Sequence, residues 1–290
     1  MPVKAVIEGL IMMKKKIYII FIALFALCLF AGVFAEEAGT FGQVFPEEIL
    51  ADASESPVLP DIMTVTAANN KNVTGTYRKY DSGKTPVIVV LEGSSVLSQN
   101  SPFLAFDDLR KYNMYSFNST SPNGKSFSLS TSYKSREAIE TGYCQVVAEE
   151  VKKVFPDAAK IGIISYSAGG YGANGVAKSI SESGSIVSWV AGYDNILRED
   201  QHYKTFDDYI KKSAIPSLLG ISSDKYRLIT QNSITEAKTH PDDYTVICYY
   251  SGYHGKFVRS NSANILTGNS LSSDLASFAE QYFCMINDSE

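Results

Sequence analysis

Ile161-Gly162-Ile163-Ile164-Ser165-Tyr166-Ser167-Ala168-Gly169-Gly170-Tyr171-Gly172 passes from an apolar, β-branched segment directly into a cluster of small residues. The first four positions show no polar alternation and read as a strand buried on both faces. The stretch from Gly169 to Glu182 has helical spacing. Ser167 therefore falls in a tight turn between a strand end and a helix N-terminus. There, free N–H groups and positive potential favour developing negative charge. Such a turn crowds the positions two before and two after the serine, and Ser165 and Gly169 are both small.

Working outward, the same buried-strand signature recurs in Pro86–Leu91, Ile186–Ala191, Ile215–Ile221 and Tyr244–Tyr250. Ahead of these, Ile62–Thr66 and Val73–Tyr80 read as a hairpin across the turn-forming Asn69-Asn70-Lys71-Asn72. Helical periodicity occupies Ser135–Phe155, Gly169–Glu182, Tyr203–Ser213, Lys225–Lys238 and Ser270–Met285. In the first of these, Ile139, Tyr143, Val146, Val147, Val151 and Val154 form one face. Strands alternating with helices predict an α/β domain over residues 61–290, with a mostly parallel central sheet flanked by helices. Only about twenty residues separate Val190 from Ser213, so a small or absent lid is expected.

On these residues the chain resembles the α/β-hydrolase superfamily, in particular its secreted serine esterase and lipase-like members. The family's nucleophile turn is written G-x-S-x-G, and here Ser165 stands in place of the first glycine. The resemblance implies the chain order nucleophile, acid, histidine, each at the C-terminal end of a strand. Only three histidines exist. His254, between Gly252 and Gly255 just past the last strand, takes the expected position; His202 and His240 do not. Asp224, directly after the penultimate strand, is the preferred acid, and Asp194, one strand earlier, is the alternative. The backbone N–H of Ala168 and that of Ser94, in the loop Glu92-Gly93-Ser94-Ser95, are the expected oxyanion donors. Glu92 departs from the His-Gly common at that loop and leaves room for altered activity. Ser167 would attack a carbonyl, His254 would take its proton and Asp224 would orient the imidazole, with no metal or cofactor. The substrate is expected to be a small or polymer-linked acyl ester. A peptidase, or a non-catalytic surface protein retaining the fold, is the alternative.

Composition bounds the remaining classes. The 290 residues are 45% hydrophobic and 20% charged, as in globular proteins, and a net charge of −5 argues against a nucleic-acid partner. Lys14-Lys15-Lys16, the apolar run from Ile17, and Val33-Phe34-Ala35 before Glu36-Glu37 read as an export signal over residues 1–35, cleaved after Ala35. Its removal takes away four Lys and one Glu, leaving 22 basic and 30 acidic residues in a secreted or periplasmic chain with no membrane partner. If uncleaved, Ile17–Ala35 is long enough to be an anchor. Residues 36–60, rich in Glu and Pro, read as an extended leader. Cys144, Cys248 and Cys284 remain, so at most one pair can form, and Cys144 and Cys248 read as buried.

Overall fold

The computed structural model describes residues 73–94, 96–119, 142–195, 197, 208–224, 227–251 and 254–284, together with the backbone of 62–66. The export signal, the leader and most of the expected lid region lie outside the described residues. The described residues belong to one compact unit, Pro57–Glu290.

Among the described residues, eight strands form one sheet: β1 (Ile62–Thr66), β2 (Thr74–Arg78), β3 (Val87–Leu91), β4 (Asn113–Phe117), β5 (Lys160–Tyr166), β6 (Ile186–Tyr193), β7 (Ser217–Ser222) and β8 (Thr245–Tyr249). Their order is β1-β2-β4-β3-β5-β6-β7-β8. β2 pairs antiparallel with both β1 and β4, and every other pairing is parallel. The α-helices among the described residues are α1 (Cys144–Val154), α2 (Ala173–Glu182), α3 (Tyr209–Lys212), α4 (Leu228–Thr239), α5 (His254–Arg259) and α6 (Leu271–Cys284).

The continuous apolar run of β3 has the reason expected of it, since helices cover both sheet faces. Val87, Val89 and Leu91 join a core with Val147 and Val151 of α1 and Val176 and Ile180 of α2. Ile88 and Val90 point the other way, into a core with Trp189, Phe257 of α5, and Leu271, Leu275 and Phe278 of α6. The fold is thus an α/β, mostly parallel sheet flanked by helices, as the strand and helix alternation implies.

Three local readings need correction. β4 escaped the periodicity argument because Asn113 and Ser116 interrupt its apolar residues, yet all five of its positions are buried. The Asn113 side chain accepts from Tyr80 N (2.8 Å) and donates to Asp81 Oδ1 (2.8 Å) and Thr85 O (2.9 Å), so its burial leaves no polar group unsatisfied. β8 is the edge of the sheet rather than a central strand, with Thr245, Val246 and Cys248 exposed. Cys248 is accordingly exposed instead of buried, while Cys144 is buried. Finally, His254 opens a short helix rather than sitting in a glycine loop.

Candidate active site

The sheet order creates the crevice. From β3 the chain goes on to β4 on one side, and from β5 to β6 on the other, so the C-terminal ends of β3 and β5 part there; ligands of open α/β sheets bind at such a point. Register then fixes which residues meet. Leu91 pairs with Ser165 and Tyr166 with Tyr193, so two steps past Leu91 and one past Tyr193, Gly93 and Asp194 flank Ser167 in one row.

Ser167 follows β5 and opens the 3-10 turn Ser167–Gly172 that leads into α2. Its φ is 52°, a left-handed conformation uncommon for a residue with a Cβ and characteristic of functional sites. Gly169 is obligatory, because a Cβ there would lie 2.0 Å from the Leu91 carbonyl oxygen. The departure at Ser165 is accommodated: its side chain is fully buried and its hydroxyl accepts from Asn195 Nδ2 at 3.0 Å. Asn195 thereby ties the residue after Asp194 to the strand that carries Ser167.

His254 is held from two sides. Its Nδ1 lies 2.9 Å from Asp194 Oδ2. An ionised carboxylate only accepts, so the proton of a neutral ring sits on Nδ1 and Nε2 is left basic. The Tyr166 ring stacks on the imidazole with centroids 5.2 Å apart and planes at 22°, and the Tyr166 hydroxyl donates to the His254 carbonyl at 3.3 Å. The residue beside Ser167 therefore carries the histidine on its face. Among the described residues, the Ser167 hydroxyl has no hydrogen-bond partner, His254 included. Such contacts are often loose without substrate and tighten when it binds.

The acid expected after the penultimate strand is not the one that meets the histidine. Asp194, the alternative, does so: it is fully buried with φ 47°, which turns its side chain off the end of β6 toward α5. Its Oδ1 accepts from Ser222 N at 3.0 Å, and its Oδ2 also accepts from Thr230 Oγ1 at 3.1 Å. Those donors compensate the buried charge. Asp224 instead lies 3.6 Å from Arg227 Nε, and its carbonyl accepts from Arg227 N in the turn before α4. His240 ends α4, with Nδ1 2.9 Å from Thr239 Oγ1, away from the serine turn; His202 lies outside the described residues.

Ala168 is buried in the first turn after Ser167, where 3-10 N–H groups have no intrahelical acceptor. In the facing loop Gly93 is the residue against the serine: a Cβ on it would lie 3.1 Å from Ser167 Cβ. Ser94 follows within the turn closed by Val96 N to Gly93 O (3.2 Å) and has an exposed side chain. Glu92 points away from the crevice into the protein. Its carboxyl is fully buried, Oε1 accepts from Ser116 Oγ at 2.9 Å, and burial pushes its pKa up to about 7. The sequence gives Ser165 only its smallness in the turn and shows no contact of Asn195, Thr230 or Tyr166 with the site, since those contacts cross strands that only the sheet order brings together. The described residues hold no cluster of three or more His, Cys, Asp or Glu that could bind a metal.

No protein-family model matches the chain, and no curated protein matches it. Among solved structures it is similar to a predicted CIB-like hydrolase from Thermoplasma acidophilum, at 15% identity over 77% of this chain and 98% of that one, TM-score 0.48. It is also similar to an esterase/lipase from an uncultured bacterium, at 12% identity over 83% and 94%, TM-score 0.48. A putative dipeptidyl aminopeptidase IV from Bacteroides ovatus aligns at 16% identity over 77% of this chain and 35% of that one, TM-score 0.47.

Proposed function

We propose that the protein is an exported serine hydrolase that cleaves carboxylic esters, with Ser167 as nucleophile, His254 as general base and Asp194 as the acid that orients it. The observation that carries this reading is His254, bonded through Nδ1 to buried Asp194 and stacked on Tyr166 next to a strained Ser167. Ser167 Oγ attacks the ester carbonyl while His254 Nε2 takes its proton. The oxyanion develops between Ala168 N–H and the Gly93–Ser94 loop. The bond to the alkoxide breaks, and the alkoxide leaves with the proton from His254. Water, deprotonated by the same nitrogen, then releases the acid and restores Ser167. Export rests on the basic, apolar and small-residue order of residues 14–35.

The test is turnover of a p-nitrophenyl ester series by the full-length chain, with aminoacyl p-nitroanilides measured alongside. Ester hydrolysis is expected, and Ser167→Ala should lower kcat/KM by about 10⁴-fold or more. Cleavage of anilides in preference to esters would assign the same machinery to peptides. Equal turnover by wild type and variant would remove Ser167 from the chemistry.

A further inference from the structure

Glu92 lies one residue before Gly93, whose backbone abuts Ser167, at the crevice between β3 and β5. A carboxylate here would oppose the negative charge that forms on the substrate oxygen. Yet the Glu92 side chain is fully buried and forms no salt bridge among the described residues. Oε1 has the Ser116 hydroxyl, while Oε2 is buried with no hydrogen-bond partner among the described residues. Its backbone is clamped: Glu92 N donates to Phe117 O at 3.0 Å, and the Ser119 hydroxyl donates to Glu92 O. A Cβ on Gly169 would lie 2.9 Å from that same carbonyl oxygen, so the clamp holds β3, β4 and the serine turn together.

We infer that Glu92 is a positioning residue for the oxyanion loop that works in its neutral form, so that its ionisation lowers reactivity at Ser167 and gives the site an alkaline limit. The inference deepens the serine-hydrolase reading and rests on it. Neutral, the carboxyl fits its apolar, hydroxyl-lined site. Ionised, it becomes a buried charge with no donors but the Ser116 and Ser101 hydroxyls among the described residues, and it places a negative charge behind the loop that must receive the oxyanion. Ser116 from β4 and Ser101, at the start of the 3-10 turn Pro102–Ala105, offer hydroxyls. Tyr143, ahead of α1, is pushed well above its usual range by burial and stays neutral. Among the described residues, Arg259, ending α5, is the cation whose field reaches Glu92, and it only partly offsets burial. Burial places the Glu92 carboxyl at about 7, while burial lifts the Cys144 thiol next to Tyr143 far out of the working range.

The experiment is the second-order rate of fluorophosphonate labelling of the full-length chain between pH 5.5 and 9, for wild type, Glu92→Gln and Ser116→Ala. It needs no knowledge of the natural substrate. Wild type and Glu92→Gln should react alike near pH 5.5. By pH 8.5 wild type should fall behind the amide variant on the order of tenfold, as expected for one buried charge near the oxyanion. Ser116→Ala removes the donor that favours the charged form, so its alkaline fall should move to higher pH and it keeps the inference testable should the amide variant fold poorly. Reactive wild type with a profile parallel to that of Glu92→Gln overturns the inference and leaves the hydrolase reading intact. No labelling of wild type at any pH overturns both.

Discussion

At the scale of single residues, the basicity of His254 toward Ser167 depends on which carboxylate holds its ring. Asp194 is buried and compensated by Ser222 N and Thr230 Oγ1, whereas Asp224 is engaged with Arg227 in the turn before α4. Removing the charge of an orienting acid while keeping its shape typically costs about 10⁴-fold in kcat by favouring the wrong imidazole tautomer. Asp194→Asn should therefore lower kcat on p-nitrophenyl esters by about that factor, while Asp224→Asn should stay within about threefold of wild type. Steady-state kinetics of the two variants decide between the acids, and the reverse pattern would reinstate Asp224. From sequence the two aspartates differ only in the strand they follow. What separates them is the left-handed backbone of Asp194 and the donors arriving from β7 and α4, neither of which has a sequence signature.

At the scale of elements, the ends of β3, β4 and β5 form one unit around Glu92, and stability should report it. The folded protein holds the Glu92 proton up to about pH 7, whereas the unfolded chain releases it near its usual 4.5. Within that window the native state binds more protons than the unfolded one, so stability falls as pH rises. The contribution is fully present below about 4.5 and lost above about 7, a loss on the order of 3 kcal/mol from this one group. Chemical denaturation should show Glu92→Gln pulling ahead of wild type as pH rises from 5 to 8; a constant difference across that range would contradict the burial argument. The strands themselves were legible where they are wholly apolar, as in β3 and β5. β4 was not, because Asn113 and Ser116 are buried by hydrogen bonds that come from the β2–β3 segment and from Glu92, partners that a reading of local periodicity does not include.

At the scale of the whole molecule, topology makes the site. The order β4-β3-β5-β6 parts the chain at one place, and the parallel register lines up Gly93, Ser167 and Asp194 across it. His254 reaches the row from beyond β8, past β7, because α5 starts there and Tyr166 receives its ring. The serine turn and the histidine could be read from the chain because each sits at the end of an apolar run beside glycines. The choice of Asp194 over Asp224 and the clamp around Glu92 could not, because they depend on how strands distant in sequence stand side by side. The most direct test is intact-mass analysis of the full-length chain after exposure to a fluorophosphonate probe at pH 6.5, with peptide mapping and Ser167→Ala alongside. A single adduct on Ser167, absent from the variant, is the predicted result. A folded wild type that takes no adduct, or takes it on another residue, would contradict the assignment of Ser167 as the nucleophile.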